Sequence, residues 1–152
     1  MNLRSTHLLV VLLSLACAAP PPPAGAPAAL EGLLVRRDEV MAAPPATDLG
    51  PIKVWVVEKT PDVVSFLIRL DGVLPLHYHP DGVHRMYVIE GRLRAILGTQ
   101  TKELGPGDYI MIPVGVRHRF ESLGGPAVYA SVDTPPVDPK QIVWIEPKPV
   151  RP

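Results

Sequence analysis

Between residues 52 and 146 the sequence is cut into short apolar runs by clusters of turn-forming residues, and this cadence limits the fold more than any other feature. The runs are IKVWVVEK (52–59), VVSFLIRL (63–70), HRMYVIE (84–90), RLRAIL (92–97), DYIMIP (108–113), RHRFES (117–122), AVYASV (127–132) and QIVWIE (141–146). Between them lie TPD, DG, PDG, EG, GPGD, PVG, GGP and TPPVDP, whose glycines, prolines and aspartates set turn geometry. No segment past residue 51 repeats its apolar positions with a helical period. Short strands at this spacing predict an all-β fold, a sandwich or barrel. Upstream, LEGLLVRRDEVM (30–41) has mixed periodicity and reads as a strand or a short helix, before APPATDLGP (43–51) breaks it.

The N-terminal residues are of another kind. MNLRSTH carries one positive charge, Arg4, ahead of the uninterrupted apolar run LLVVLLSLA (8–16). That run falls short of the about 20 apolar residues a bilayer span needs and fits the core of a secretory signal. It ends in LSLAC, whose Ala16–Cys17 resembles the lipobox of bacterial lipoproteins, with Ser14 where leucine is usual. The resemblance implies cleavage before Cys17 and acylation of its thiol, hence an exported protein held at the bacterial cell envelope by a lipid anchor. Ordinary cleavage after Ala18 or Ala19, giving a soluble periplasmic or secreted protein, is the alternative. Cys17 is the single cysteine and has no disulfide partner, which favours acylation. CAAPPPPAGAPAA (17–29) then reads as an extended tether of polyproline II character. The expected organisation is a signal peptide over 1–16, tether and extension over 17–50, a barrel over 51–146 and a Pro-rich tail over 147–152.

Three of the five histidines fall within eight positions of LHYHPDGVHRMYVIEG (76–91), and a fourth, His118, lies in PVGVRHRF (113–120). His77 and His79 are two apart, so an extended chain turns both to one face. His84 opens the next strand and shares a face with Met86 and Val88, while His118 opens another and alternates with Phe120. Neutral imidazoles converging from neighbouring segments inside a small barrel form a donor set for a borderline transition metal. The same alternation puts Phe66, Met86, Val88 and Phe120 around them as an apolar pocket, with Ile68 and Leu70 beside Phe66. Arg85, Arg117 and Arg119 are expected to face solvent, and Tyr87 and Tyr109 to be packing residues. Trp55 and Trp144 read as sheet packing or part of a subunit contact.

These spacings resemble the two motifs of the cupins. The first motif runs from Gly72 through His77, Tyr78 and His79, then His84 in the place of the family's glutamate, to Gly91. The second runs from Gly107 through Pro113, Val114, Gly115 and His118 to Ser122, which stands where the family has asparagine. The resemblance covers about residues 52–132 and implies a double-stranded β-helix, or jelly roll, holding one metal at its centre. His84 for glutamate is the substantive departure, and it resembles the minority of cupins that bind metal through four histidines. On that basis His77, His79, His84 and His118 are the expected metal ligands. The ion is one divalent transition metal: Mn, Fe, Co, Ni, Cu or Zn.

Three functions follow as expectations: a metal-dependent oxidoreductase of dioxygenase type on a small oxygenated molecule, a non-catalytic binder of metal or small ligand, or a barrel stapled by its metal. A neutral ligand set leaves the full charge on the ion and removes the carboxylate that could serve as a base. Fifteen basic and fifteen acidic residues cancel without any block of like charge, so no nucleic-acid partner is expected. The doubly apolar VVSFLIRL leaves two-sheet packing and a dimer surface both open, and cupins are often dimers. Imidazoles bind metal only when neutral, so release is expected as pH falls towards and below the free histidine value of about 6.5.

Overall fold

Strand alternation governs the architecture. In the computed structural model, which describes residues 32–150, a short helix α1 (Arg37–Ala42) precedes the strands β1 (Thr47–Asp48), β2 (Ile52–Lys59), β3 (Val64–Leu70) and β4 (Val73–Tyr78). There follow β5 (Val83–Glu90), β6 (Leu93–Leu97), β7 (Gln100–Leu104), β8 (Tyr109–Ile112), β9 (His118–Ser122), β10 (Ala127–Thr134) and β11 (Val143–Trp144). They form two antiparallel sheets, ordered β1-β2-β3-β10-β5-β8 and β11-β4-β9-β6-β7. The fold is all-β, a double-stranded β-helix. On β5, His84, Met86 and Val88 are buried while Arg85, Tyr87 and Ile89 are exposed, the period-two pattern of a strand with one face inward.

The core lies between the sheets. Leu70, Leu93, Phe120, Ala127 and Tyr129 are essentially inaccessible, and Ile52, Met86, Val88, Ile110 and Ile112 pack with them. Each of the buried Leu, Ile, Val, Met and Phe side chains contributes on the order of 1.5–3 kcal/mol of burial.

Three strands were not foreseen, each for a physical reason. β4 contains Pro75, which lacks a ladder N–H, but its pairing with β9 is irregular between Leu74 and His77, where that donor is not needed. β7, QTKEL, is an edge strand with its first four residues exposed, so it has no apolar alternation to read. β1 is only two residues long and pairs with β2 through Thr47–Val54 and Asp48–Lys53. The sheet therefore begins upstream of residue 51, and the residues from Leu34 onward form one compact unit. Trp55 is buried and donates its indole N–H to the Ala43 carbonyl at 2.8 Å, tying the segment after α1 to β2. The signal, tether and acylation expectations, Cys17 included, fall outside the described residues.

Gly91 closes the first motif under two constraints. Its φ is +76°, and an added Cβ would lie 2.4 Å from the Pro126 carbonyl oxygen and 2.8 Å from the Ala127 Cα. Both atoms are backbone and cannot swing aside, so Gly91→Ala is expected to destabilise the fold by about 2 kcal/mol or more. Chemical denaturation reads this directly. A wild-type midpoint would show that the β5–β6 turn and β10 can separate.

Candidate metal centre

Two sheets supply the histidines. His77 lies next to the end of β4 and is the register partner of His118 at the start of β9, so these two rings face inward side by side. His79 follows one turn of the pleat later, and its carbonyl accepts the Gly115 N–H at 2.8 Å. Gly115 has φ +77° in the turn before β9, so this bond joins the loops of the two motifs and sets where His118 begins. At the motifs' other ends, the Ser122 hydroxyl accepts the Gly72 N–H at 2.8 Å, so serine makes a local backbone bond from the asparagine position. His84 comes from β5 in the opposite sheet.

All four imidazoles are buried and close together. Ring centroids are 4.2 Å apart for His77–His118, 5.0 Å for His77–His79, 5.2 Å for His79–His118 and 4.1 Å for His79–His84. His77, His79 and His118 can each present one nitrogen with all three within 4.8 Å of one another. His84 stands slightly apart, its centroid 5.9 Å from that of His118.

Hydrogen bonds orient the rings. His77 Nδ1 lies 2.6 Å from the Pro75 carbonyl and His118 Nδ1 lies 2.9 Å from the Val116 carbonyl. A carbonyl can only accept, so both rings carry the proton on Nδ1 and leave the Nε2 lone pair free. His84 Nδ1 meets Asp133 Oδ1 at 2.8 Å in the same manner, because His84 and Asp133 are register partners across β5 and β10. Its Nε2 is buried without a partner among the described residues, as is His79 Nδ1. Unpaired buried nitrogens carry a desolvation penalty of about 1–3 kcal/mol each, and a cation answers it. Backbone carbonyls and a carboxylate holding the far side of imidazoles is the arrangement that supports histidine ligands to metals. The donors present therefore fit a divalent transition ion.

Burial keeps His77, His79 and His118 uncharged. Burial lowers the pKa of His79 to about 2, helped by the neighbouring imidazoles of His84, His77 and His118. Burial likewise lowers His118 to about 3 and His77 to about 4, with the Val116 and Pro75 carbonyls opposing part of the effect. Neutral imidazoles are the metal-binding form.

Beside the histidines opens a cavity of about 240 Å³ with mainly aliphatic and aromatic walls. Phe66, Met86 and Phe120 line it as the alternation predicts, and Ile68 lies on the Phe66 wall. Val88 does not line it: this residue is 2% exposed and packs one layer deeper, in the core. Leu70 is likewise core. Several lining residues escaped the sequence reading. Trp144 stacks on His77 with centroids 4.8 Å apart, and Asp133, Ser131 and Tyr129 form an inward polar row on β10. Tyr129 and Ser131 alternate within the expected strand 127–132, and Asp133 continues that alternation one position past its expected end.

Arg85 and Arg117 are exposed, but Arg119 pairs with both Glu146 oxygens at 2.7 Å. Glu146 also accepts the Leu76 N–H at 3.0 Å, and this bond and Arg119 hold its carboxyl below the usual range. The segment carrying Trp144 is thereby fastened along β4. Tyr87 and Tyr109 pack on each other at 4.8 Å but remain about half exposed, at 54% and 47%.

Comparison with known proteins agrees with this geometry. Residues 66–133 match the cupin domain family. The polyketide synthase CurC of Streptomyces cyaneus is 38% identical over 64 residues, a stretch covering 42% of this chain and 42% of that protein, so the match spans under half of each. An uncharacterized protein of Aquifex aeolicus is 27% identical over 95 residues, covering 62% and 78% respectively. Among solved structures, KdgF from Halomonas sp. superposes with a TM-score of 0.60 at 23% identity, covering 66% of this chain and 93% of that one. The polyketide cyclase RemF from Streptomyces resistomycificus gives 0.61 at 22% identity, covering 78% and 88%. An uncharacterized protein with a double-stranded β-helix domain from Klebsiella pneumoniae gives 0.62 at 24%, covering 77% and 100%. The segment that matches the cupin domain runs from β3 to β10 and holds all four clustered histidines, and the solved structures share the double-stranded β-helix fold of this chain.

Proposed function

We propose that His77, His79, His84 and His118 hold one divalent transition metal (Mn, Fe, Co, Ni, Cu or Zn) and that the adjoining cavity takes a small oxygen-bearing organic molecule for dioxygenase-type oxidation. The observation that carries this reading is the convergence of four buried imidazoles, three with Nδ1 held by an acceptor and turned so that Nε2 is free. Bound there, the metal supplies Lewis acidity and, for a redox-active ion, a route to dioxygen. The protein orients the ion's ligands, keeps His77, His79 and His118 uncharged, and encloses the organic ligand between mainly apolar walls that exclude water. Names of enzymes among the relatives, a polyketide cyclase and a polyketide synthase, agree with a catalytic use of such a cavity.

Asp133 is the one carboxylate on the cavity wall among the described residues, and it is committed to His84 and to the Ser131 hydroxyl at 2.7 Å. The wall therefore offers no uncommitted carboxylate as a base. This observation favours a second reading, a non-catalytic binder of metal or small ligand at the cell envelope. Purified full chain loaded with each metal and assayed for oxygen uptake on catechol, diketone and flavonol substrates separates the two. Turnover that survives loss of both His79 and His118 overturns the metal-dependent enzyme, whereas tight, reversible binding without turnover selects the binder. Lipid anchoring is part of the same proposal, supported by Arg4, the apolar run 8–16 and Cys17. Labelled palmitate incorporated by the wild type and not by Cys17→Ser is the expected result.

Asp133→Asn tests the fourth ligand. An amide can offer the His84 ring either an acceptor or a donor, so the tautomer is no longer enforced. A loss of about 10–100-fold in metal affinity is expected in chelator competition. Unchanged affinity would place His84 outside the ligand set.

A further inference from the structure

The polar row on β10 contains one group that the metal site does not use. Tyr129, Ser131 and Asp133 alternate inward, and all three line the cavity. Ser131 donates to Asp133, and Asp133 receives His84, so both are occupied. Tyr129 is not. It is 1% exposed, and its hydroxyl is buried without a hydrogen-bond partner among the described residues. The ladder between β10 and β5 shifts register between Val128 and Tyr129, an irregularity of the type that re-aims side chains beside functional sites. Phe120, with its ring centroid 6.2 Å away, braces the phenol ring from the opposite sheet.

A phenylalanine would fill this place without the penalty of an unpaired buried hydroxyl. No acceptor among the described residues reaches the phenol, although Ser131 and Asp133 share its wall, so an acceptor must arrive from the cavity. Burial first, and Asp133 second, push the Tyr129 pKa upward, so the group remains a donor throughout the accessible pH range.

We propose that Tyr129 is the positioning residue of the cavity, donating a hydrogen bond to an oxygen of the bound organic ligand. This rests on the metal reading above and narrows its ligand class. The ligand is a compact, mainly apolar molecule bearing a carbonyl, enolate or phenolate oxygen that can accept from Tyr129 while another oxygen faces the histidines. A molecule with only donor groups at that point would leave the phenol unpaired and bind less well.

The test uses full chain loaded with cobalt(II), whose visible absorption reports ligand binding. Two probes are titrated: acetylacetone, an oxygen chelator with carbonyl acceptors, and imidazole, a nitrogen donor with none. In Tyr129→Phe, acetylacetone is expected to bind about tenfold more weakly, with imidazole affinity and cobalt content unchanged. The metal-free variant is expected to melt at or above the wild-type temperature. Equal acetylacetone affinity in the two proteins overturns the proposal and leaves the metal reading intact. A clearly lower melting temperature also overturns it, because the hydroxyl would then be paired within the protein. Failure of the wild type to take up cobalt overturns the metal reading, and this one with it.

Discussion

His118→Ala is expected to lower divalent-metal affinity by about 100-fold or more while leaving the barrel folded. Structural zinc sites bind with apparent free energies of about 10–16 kcal/mol, so one of four ligands accounts for roughly 3 kcal/mol, or a factor of about 100. His118 is central to the cluster, being one of the three histidines that can meet at one point and the register partner of another. Chelator competition measures the affinity, and circular dichroism with thermal melting of the metal-free protein verifies the fold. His84→Ala is the informative companion. If both variants lose metal, four histidines bind it; if only His118→Ala does, the site is the His77, His79 and His118 triad. Introducing the glutamate that the cupin motif has at this place, with His84→Glu, is not a neutral exchange. Its carboxylate would face Asp133, which is 3% exposed and 2.8 Å from the present Nδ1, and two buried carboxylates cannot both ionise cheaply. Weaker metal binding than wild type is expected, despite glutamate being a good ligand elsewhere.

The second large effect is acid sensitivity of the metal-free protein. His77, His79 and His118 have folded-state pKa values lowered to about 4, 2 and 3, against about 6.5 in the unfolded chain. Below 6.5 the unfolded chain takes up protons that the folded protein refuses, so stability is complete above that pH and declines as pH falls towards the folded values. Each histidine contributes up to about 1.4 kcal/mol per pH unit, and three together about 4. A small domain stable by about 5–15 kcal/mol is therefore expected to unfold between about pH 3 and 5. Tryptophan fluorescence follows it, since Trp144 stacks on His77 and Trp55 is buried in the sheet. Added metal should move the midpoint to lower pH, because it binds only the neutral rings of the folded state. The free-histidine value places metal release near pH 6.5, but the buried cluster shifts it lower, because preorganised, desolvated imidazoles compete poorly for protons. A metal-free midpoint independent of pH between 6.5 and 4 would contradict the burial and crowding described above.

The histidine cluster was legible because metal-ligand spacing is local. His77 and His79 lie on one extended segment, and the turns PDGV and PVGV mark where His84 and His118 begin. The regular strands were legible where one face is buried, as in β5, β8 and β9. Edge strand β7 and the Pro-containing β4 carry no such alternation. Val88 shows the limit of the face argument. It shares an inward face with His84 and Met86, but inward positions at different depths serve different purposes, so Met86 meets the cavity and Val88 the core.

By itself, then, the sequence determined an all-β chain with two motif-borne histidine groups, because period, turn chemistry and ligand spacing are properties of neighbouring residues. Only the tertiary structure decided that Asp133 orients His84, that Trp144 covers His77, and that Tyr129 lines the cavity with no hydroxyl partner among the described residues. Asp133 lies 49 positions from His84, and Trp144 lies 67 from His77. Such pairs meet only when β10 is laid beside β5 and β11 beside β4, and register between distant strands is set by packing of the whole core.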